Sequence, residues 1–396
     1  MGQKIGNIGV LNLINATEES IKDIVHIENV GLLLYSPKTA SLLTKLHIGN
    51  IGKSSLIESE YRLNSGMFIL DNSYLKAVTE PTRMFVNGVV IVHNDVSLEL
   101  LNDSECEFII NGVAYTPSHL KGAVQTIFKE TTGSILTYEG KEPIPKIGKV
   151  NIDNNFLQSL SGDENFIING KLYLDENLDT DLFNQKINRL DVNGMAVIYE
   201  NQVSIFSTKG LVNGKITTIP AGFKLLKTKL FIDGHSIRRF RGQPIYAEQP
   251  IILNKNVSRE MFSKAFTSIE STSYIVCHEN IEDLVYEALS NFETEVYVYS
   301  QILRYVDEET WNQNDLSLLE QETTLIVEGL LSIEGDVNKN FFEKISAIEL
   351  IGNIHVSSSE MKAIVQKLVK TAKGSIINVS SNQREPELDN IGELTL

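Results

Sequence analysis

The amino-acid sequence predicts an α/β repeat protein, a right-handed solenoid of short parallel strands with helices or loops between them. Three observations lead to this fold class: a recurring apolar segment that ends in Asn-Gly, glycines spaced about 20–24 residues apart, and apolar stripes at helical spacing between the segments. Because a strand joined to the next parallel strand through a helix crosses over in the right-handed sense, the predicted solenoid is right-handed.

The repeat is clearest in two segments: residues 108–115 read FIINGVAY and residues 166–173 read FIINGKLY. The pattern returns at 84–91 and 190–197. Looser copies lie at 230–234, 325–329 and 348–352. The glycines that these copies share are Gly88, Gly112, Gly170, Gly194, Gly234, Gly329 and Gly352. We predict that they are structural and occupy equivalent bends where a side chain is disfavoured.

Helices are predicted in the polar half of several units. Ser36 followed by Pro37 is typical of a helix start, because serine caps the helix and proline suits its first position. Ser357 and Glu360 have the spacing of a capping box. The apolar residues of 281–289 recur at helical spacing and predict a third helix.

The Asn-Gly pairs allow a second interpretation, because Asn-Gly between alternating apolar residues is also the strongest short signal for a β-hairpin. Five pairs occur, at 87–88, 111–112, 169–170, 193–194 and 213–214. Hairpin arms here would be short, and isolated short hairpins are marginally stable. We favour stacked coils in which each pair marks a bend, and the hairpin turn stays open as the alternative.

The domain prediction follows from the repeat. Residues 1–20 read as an N-terminal cap, residues 21–379 as a solenoid of about 16 units, and residues 380–396 as a polar C-terminal tail that frays. A cap is expected because a solenoid otherwise exposes its core at each end, and residues 5–14 carry enough apolar side chains for a first strand.

Two family resemblances accompany the repeat. Ile345, Ile348, Leu350 and Asn353 match the leucine-rich-repeat frame, so the chain resembles a leucine-rich-repeat βα solenoid. Residues 326–337, with apolar residues around glycine and a closing Gly-Asp-Val, more weakly resemble bactofilin-like polymer-forming β-solenoids. Both resemblances are architectural and imply a solenoid fold.

Composition excludes several classes of protein. Lys and Arg number 35 and Asp and Glu 51, a formal net charge of −16, which argues against a nucleic-acid partner. Two cysteines, Cys106 and Cys277, exclude a disulfide framework and a cysteine-based zinc site. We expect no transmembrane segment, because the uninterrupted apolar runs are too short for a membrane-spanning helix. A secretory signal is not visible, which predicts a cytoplasmic location.

Motifs for catalysis are also missing. The segment 49–54 ends in Gly-Lys-Ser, but its first two glycines are too close for a phosphate-binding loop. Cys277 and His278 are adjacent and would face opposite sides of a strand, so Cys277 is predicted to be a buried apolar residue. The sequence therefore predicts no catalytic, cofactor-binding or metal-binding residues, and no cofactor.

One basic cluster departs from the acidic background. Its members lie close together in the sequence and are Lys224, Lys227, Lys229, Arg238, Arg239 and Arg241. This cluster, called the basic patch below, could dock an acidic or phosphorylated partner. The alternative, which we favour, is that its side chains line the outer face of one coil and pair with neighbouring acids.

The function predicted from these features is a non-enzymatic structural or interaction scaffold that binds protein partners, or itself, through an extended solenoid surface. The alternative is a solenoid enzyme or a carbohydrate-binding protein with an acidic, tyrosine-lined groove. Self-association into a homo-oligomer is expected to use the apolar strand edges at 5–14 and 376–379.

Overall fold

The computed structural model describes residues 3–58, 60–335, 337–379 and 390–396. The chain divides into two compact units: unit 1 is Met1–Thr218 with Glu385–Leu396, and unit 2 is Ile219–Arg384. Short helices lie between many of the strands, and parallel pairing occurs in every sheet. The predicted α/β class with parallel strands is confirmed.

The strands are short to medium in length, from three to 13 residues. The first twelve are β1 (Gln3–Leu13), β2 (Ile24–Tyr35), β3 (Ile48–Leu56), β4 (Tyr61–Leu70), β5 (Thr82–Val92), β6 (Cys106–Pro117), β7 (Phe128–Thr131), β8 (Ile135–Tyr138), β9 (Pro143–Ile152), β10 (Glu164–Leu174), β11 (Ile187–Tyr199) and β12 (Gly210–Ile219). The others are β13 (Lys224–Leu226), β14 (Leu230–Ile232), β15 (Gln243–Ala247), β16 (Ile251–Leu253), β17 (Phe266–Ser271), β18 (Ile275–His278), β19 (Val296–Tyr299), β20 (Ile302–Trp311), β21 (Thr323–Ile333), β22 (Ile345–Leu350), β23 (Asn353–Val356), β24 (Val369–Ala372), β25 (Ile376–Asn378) and β26 (Ile391–Thr395).

The helices connect successive strands and are all short. The α-helices are α1 (Glu18–Ile21), α2 (Asn72–Ala77), α3 (Leu98–Asp103), α4 (Lys121–Ile127), α5 (Asn154–Ser159), α6 (Thr180–Lys186), α7 (Val203–Lys209), α8 (Arg259–Ala265), α9 (Glu282–Ala288), α10 (Gln313–Ser317) and α11 (Ser359–Leu368). The 3₁₀ helices are Ala40–Thr44, Ser118–Leu120, Glu200–Gln202, Ser236–Arg239, Glu279–Ile281 and Lys339–Lys344. Among the described residues, no helix is long and apolar enough to cross a membrane.

The strands group into five modules, where a module is a set of strands that share one hydrophobic core. Module 1 contains β26, β1, β2 and β3 in that spatial order, module 2 contains β4–β8, and module 3 contains β9–β12. In unit 2, module 4 contains β13–β19 and module 5 contains β20–β25. Modules 2 to 5 begin at Tyr61, Pro143, Lys224 and Ile302, at nearly equal intervals along the chain. The modules therefore follow one another at a regular interval that is longer than the glycine spacing of about 20–24 residues.

Both faces of a central strand are covered. In β10, Phe166, Ile168 and Leu172 are buried in the core of module 3. Ile167, on the opposite face, packs with Tyr115 of module 2 in a smaller cluster between the two modules. This double burial explains why the strands read as nearly continuous apolar runs, as is usual for parallel sheets.

The Asn-Gly pairs lie in the middle of these parallel strands. Gly170 of β10 lies beside Gly148 of β9 and Gly194 of β11. Its φ angle is +143°, and a Cβ atom there would lie 2.3 Å from the carbonyl oxygen of Gly148. Only glycine meets both demands, a positive φ and a backbone contact this close. The pairs are therefore bends inside strands, and the hairpin alternative is wrong.

The other predicted glycines divide into two groups. Gly88 and Gly112 stack in module 2 as Gly170 and Gly194 do in module 3. In module 5, a Cβ atom on Gly352 would lie 1.9 Å from the oxygen of Gly329. Gly234 differs, because it follows β14 in a turn and its N–H donates to Oδ1 of Asn256 at 2.9 Å. Its assignment to the shared strand bend was wrong.

Asparagine side chains form ladders beside the stacked glycines. The amide of Asn111 donates to Oδ1 of Asn87 at 2.7 Å, and that of Asn193 donates to Oδ1 of Asn169 at 2.9 Å. Each ladder joins neighbouring strands at the same register position. Since these hydrogen bonds form only in that register, the ladders help to fix it.

Two predicted helix starts are displaced in the structure. The residue that caps α11 is Ser358, whose hydroxyl accepts from the N–H of Met361 at 3.1 Å. Ser357 instead donates to the carbonyl of Gly335, so the cap lies one residue later than predicted. At the other site Ser36 is buried and donates to the backbone carbonyl of Ile14, directly after β1, and the helix is a 3₁₀ turn that begins at Ala40.

The two chain ends meet in module 1. Strand β26 lies parallel to β1 with Ile391 beside Ile8 and Leu394 beside Leu11. The expectation of a frayed tail over residues 380–396 is therefore wrong for the last residues, while 380–389 lie outside the described part of the chain. The physical reason is the pairing of β26 with β1, together with the packing of the partly buried Ile391, Leu394 and Leu396 against the core of module 1.

We predict that Gly170→Ala lowers the free energy of unfolding by about 1–3 kcal/mol, because the new methyl group meets a backbone oxygen at an unfavourable φ. Urea unfolding followed by circular dichroism measures this change. The matched control is Gly122→Ala in α4, where a Cβ atom meets no atom within 4 Å and stability should be equal or slightly higher. An unchanged midpoint for Gly170→Ala would contradict the stacking argument.

Candidate functional site

The basic patch does not form one continuous site. Lys224 begins β13, Lys229 directly precedes β14, and Arg238 and Arg239 end the 3₁₀ helix that follows β14. Lys229 is half-buried, and the other members are exposed. The complete patch is Lys224, Lys227, Lys229, Arg238, Arg239 and Arg241. Its members thus lie on both the strand side and the helix side of one module.

Within the basic patch, Lys229 contacts two acidic side chains and one aromatic ring. Its ammonium group forms a close ion pair with Glu328 of β21 and lies 3.5 Å from Oδ2 of Asp307 on β20. It also lies 4.9 Å from the ring centroid of Tyr305, within the range of a cation–π interaction. For Lys229, therefore, pairing with neighbouring acids is what the structure shows.

An open cleft of about 420 Å³ adjoins this cluster, at the contact between modules 4 and 5. Its lining residues are Phe231, Ile232, Asp233, Ser236, Ile252, Asn254, Leu303 and Tyr305. The volume is in the range of small-ligand and side-chain pockets. We call it the Phe231 cleft.

The exposed wall of the cleft is aromatic. In β14 the side chains alternate, so that Ile232 is buried in the module core while Phe231 is 59% exposed. The ring of Phe231 stands edge-on to that of Tyr305, with centroids 5.3 Å apart and an interplanar angle of 86°. A large, exposed aromatic side chain in a concave surface is typical of a binding site.

A hydrogen-bond network holds Tyr305 in place. The hydroxyl of Tyr305 contacts the carboxylate of Glu328, and it lies 2.8 Å from the hydroxyl of Tyr274. Burial would raise the pKa of Glu328, but hydrogen bonds from Lys229 and Tyr305 outweigh burial and hold that pKa below its ordinary value. Burial raises the pKa of Tyr274 and Tyr305, so both phenols stay protonated. The network therefore contains one carboxylate acceptor fixed by an ammonium group and hydroxyl groups.

This arrangement suits binding better than proton transfer. A general acid at neutral pH needs a carboxyl group whose pKa is raised, and that of Glu328 is lowered. Its charge is already matched by Lys229. What the cleft offers to a ligand is the aromatic surface of Phe231 and Tyr305, with Asp233 and Asn254 as polar groups in its lining.

A second tyrosine–acid cluster lies at the same module contact. The hydroxyl of Tyr297 donates to Glu295 at 2.5 Å, and Lys373 pairs with the same carboxylate at 2.5 Å. Glu349 is 5% exposed, and its Oε2 lacks a hydrogen-bond partner among the described residues. Tyr297, Tyr274 and the apolar Ile326 belong to one buried cluster, so these polar groups border packed core.

A larger groove, of about 570 Å³, runs beside β20. Glu309 accepts from Arg304 at 2.6 Å and from the indole N–H of Trp311 at 2.7 Å. Leu318 at its rim is 80% exposed. Glu309 thus holds the side chains of Arg304 and Trp311 together. Because Trp311 is buried, this groove presents less aromatic surface than the Phe231 cleft.

The buried polar cluster of unit 1 has a structural role. Arg189 donates to Asp191 at 2.9 Å and to the carbonyl of Thr137 at 3.1 Å, which joins module 3 to module 2. Burial, followed by the nearby Asp191 carboxylate, raises the pKa of Tyr115. The cavity here is only about 10 Å³, large enough for one water molecule.

Within the described residues, no three His, Cys, Asp or Glu side chains are arranged to hold a metal ion. Cys277 is fully buried in the core of module 4, as predicted, and burial raises the pKa of its thiol to about 12. Cys106 is likewise buried, and burial raises its pKa. Both thiols are therefore protonated and shielded at neutral pH.

Comparisons with protein-family models, with curated proteins and with solved structures find no match for this chain. The leucine-rich-repeat and bactofilin-like resemblances therefore stay predictions that concern architecture.

Sequence reasoning did not identify Phe231, Tyr274, Tyr305 or Glu328 as site residues. Glu328 lies 99 positions from Lys229, and no local pattern connects such distant positions. Charge was one signal that could have indicated this contact, because the acidic run that begins at Asp307 is opposite in sign to the basic patch. In the structure Asp307 contacts Lys229.

We predict that Glu328→Gln lowers the free energy of unfolding by about 1–3 kcal/mol at pH 7, because charged hydrogen bonds are lost. The folded-state pKa of Glu328 is lowered, so its contribution is complete above the ordinary pKa of about 4.3 and disappears as pH falls further. Urea unfolding of both proteins between pH 7 and pH 3 measures the difference, which should shrink with acidity.

The control for this prediction is Glu308→Gln, at an exposed position on β20, the strand that pairs with the β21 strand of Glu328. Its stability should stay within about 0.5 kcal/mol of the wild type at every pH. A difference between wild type and Glu328→Gln that does not depend on pH would show that the ionised carboxylate is not what stabilises the network.

Proposed function

We propose that this protein is a non-enzymatic binding protein, built as a right-handed βα solenoid of the leucine-rich-repeat type. The support for the solenoid is the in-register stacking of parallel strands, with helices between strands and glycine above glycine in modules 2 and 3. The Asn111–Asn87 and Asn193–Asn169 ladders add a second in-register contact between neighbouring strands.

The ligand site of this protein is the Phe231 cleft. The observation that carries the proposal is the exposure of Phe231, at 59%, in a concave surface that adjoins the ion pair of Lys229 with Glu328. An aromatic side chain with this exposure gains free energy when a partner covers it, about 25 cal/mol for each Å² of apolar surface. Aromatic side chains of this kind dominate the energetics of many protein interfaces.

The partner is an acidic protein segment with an apolar or aromatic anchor residue. The anchor would occupy the cleft between Phe231 and Leu303. Exposed basic side chains begin shortly beyond Ser236, a lining residue, with Arg238 and Arg239. Positive charge beside an apolar cleft favours acidic residues on either side of the anchor and accelerates association.

A carbohydrate is the second candidate ligand. The observation in its favour is that Asp233 and Asn254 line the cleft together with aromatic rings. Aromatic faces with adjacent amide and carboxylate groups can stack on a sugar ring and accept its hydroxyl hydrogens. Asp233 is the weaker of these two groups for that purpose, because its Oδ1 already accepts from the N–H groups of His235 and Ser236.

A peptide selection on the full-length protein tests the proposal. Phage-displayed peptides selected on the wild type should carry acidic residues around an aromatic or leucine anchor. Phe231→Ala should weaken their binding at least about tenfold, measured by fluorescence anisotropy, because the main apolar contact is removed. Leu211→Ala is the matched control, since Leu211 is an exposed apolar residue of β12 at 48% exposure.

The outcomes separate the two candidates. Equal binding of the selected peptides to wild type and Phe231→Ala would reject the cleft as the peptide site. A glycan array that shows binding to the wild type and loss of that binding in Phe231→Ala would assign the cleft to carbohydrate instead. Reversal of charge in Arg238→Glu with Arg239→Glu should weaken peptide binding more at low salt than at high salt.

A further inference from the structure

Module 1 is completed by a strand from the far end of the chain. Strands β1, β2 and β3 are contiguous in sequence, and the fourth strand, β26, joins them only after the chain has passed through unit 2. The order β26-β1-β2-β3 places the C-terminal strand at the edge next to β1. Without it, β1 would be an edge strand with a free row of N–H and C=O groups.

The donor strand is short and weakly buried. It pairs with β1 at four positions, against nine positions for β1 with β2. Gly392, Glu393 and Thr395 are exposed, and Ile391 and Leu394 are only half-buried. The acceptor strand differs strongly, because most of its apolar side chains are in the core. The site is therefore preformed on β1, and the donor adds little core of its own.

Glycine positions show that the acceptor is shaped for this contact. A Cβ atom on Gly9 of β1 would lie 2.5 Å from the carbonyl oxygen of Gly392. A Cβ atom on Gly392 itself would meet no atom within 4 Å. The close approach thus requires glycine at position 9 of the acceptor strand β1, whereas position 392 of the donor strand β26 has room for a larger residue.

Side chains select a particular donor sequence. In module 1, Asn50 donates to Oδ1 of Asn29 and Asn29 to Oδ1 of Asn7, both at 2.8 Å. Asn7 in turn donates to Oδ1 of Asn390 at 3.0 Å, which extends this asparagine ladder to the C-terminal strand. Ser65 donates to Glu393 at 2.6 Å, and the N–H of Leu396 donates to the carbonyl of Asn12 at 3.1 Å. Asn390-Ile391-Gly392 repeats the Asn-Ile-Gly of residues 7–9, so the donor carries the same motif as the strand that it joins.

We propose that the edge of β1 is a strand-acceptor site which the C-terminal strand of a second copy can fill, so that two copies assemble by exchange of β26. The donor makes the same hydrogen bonds whether it belongs to its own chain or to a neighbour, so exchange carries little free-energy penalty. The inference is independent of the Phe231 cleft. It replaces the predicted pairing of the free edges at 5–14 and 376–379, because β26 already covers the first of them.

A mixed-disulfide experiment on full-length chains tests the exchange. One preparation carries Asn7→Cys and the other Asn390→Cys, and the two are mixed at tens of micromolar under mild oxidation. Neighbouring strands are about 4.8 Å apart, which suits a disulfide between these two positions. A disulfide-linked dimer on a non-reducing gel then requires the strand of one copy to lie on β1 of the other. The native thiols Cys106 and Cys277 are buried and should not react.

The matched control replaces Asn7→Cys by Asn50→Cys. Asn50 lies on β3, three strand positions from β26 and therefore about 14 Å away. We expect the Asn7–Asn390 mixture to give at least about ten times more dimer than the Asn50–Asn390 mixture, a difference in yield that close strand approach explains. Equal yields would overturn the proposal and show that each chain keeps its own C-terminal strand.

A second pair of variants checks the glycine asymmetry in the same assay. Gly392→Ala in the donor chain should leave the dimer yield unchanged, because its Cβ atom meets open space. Gly9→Ala in the acceptor chain should reduce the yield several-fold, because its Cβ atom meets the donor backbone. Equal yields from Gly9→Ala and wild-type acceptors would contradict docking at this edge. A fold check by circular dichroism accompanies the acceptor variant.

Discussion

The contact between glycine backbones at the centres of neighbouring strands is the constraint on which the rest of the structure depends. At Gly170 and its neighbours a strand approaches so closely that a methyl group would meet a carbonyl oxygen at 2.3 Å. A shift of register by one residue would place a side chain in that space, and it would also exchange the two faces of the strand. The glycines thereby align the asparagine ladders and decide which apolar side chains enter a module core. The Asn193–Asn169 hydrogen bond is a consequence of this alignment as well as a support for it.

The candidate site follows from the same alternation of faces. Residues that point away from a module core are left to contact the next module, and in both units this outer face carries tyrosines as well as aliphatic residues. Tyr274 and Tyr305 meet there, and their hydroxyl groups need partners because Tyr274 is buried and Tyr305 is half-buried. Glu328 supplies one and Lys229 neutralises it. Phe231 lies beyond the end of this packing, which is why its ring borders an open cleft instead of a core.

Sequence reasoning succeeded where the physical signal is local. Asn-Gly pairs in apolar runs indicated bends in parallel strands, and Cys277 was correctly predicted to be buried. It failed where a contact joins residues that are far apart in the sequence, and it placed the cap of α11 one residue too early. The ion pair of Lys229 with Glu328 joins residues 99 positions apart, and the longer period of the modules appears only when strands are grouped by shared core. The C-terminal strand had a readable signal in Asn390-Ile391-Gly392, but the polar residues before it favoured the interpretation as a tail.

That missed motif shows how the stacking rule extends beyond neighbours in sequence. Within modules 2 and 3, β5 pairs with β6 and β10 with β11, each with the next strand along the chain, so proximity in sequence alone could explain the pairing. Strand β26 pairs with β1 across almost the whole chain, and here proximity explains nothing. What remains is recognition: an asparagine to extend the ladder, an apolar residue for the core, and a backbone that fits against Gly9. These requirements are met by a sequence motif rather than by a location in the chain, and this is the basis for the proposed exchange of β26 between two copies.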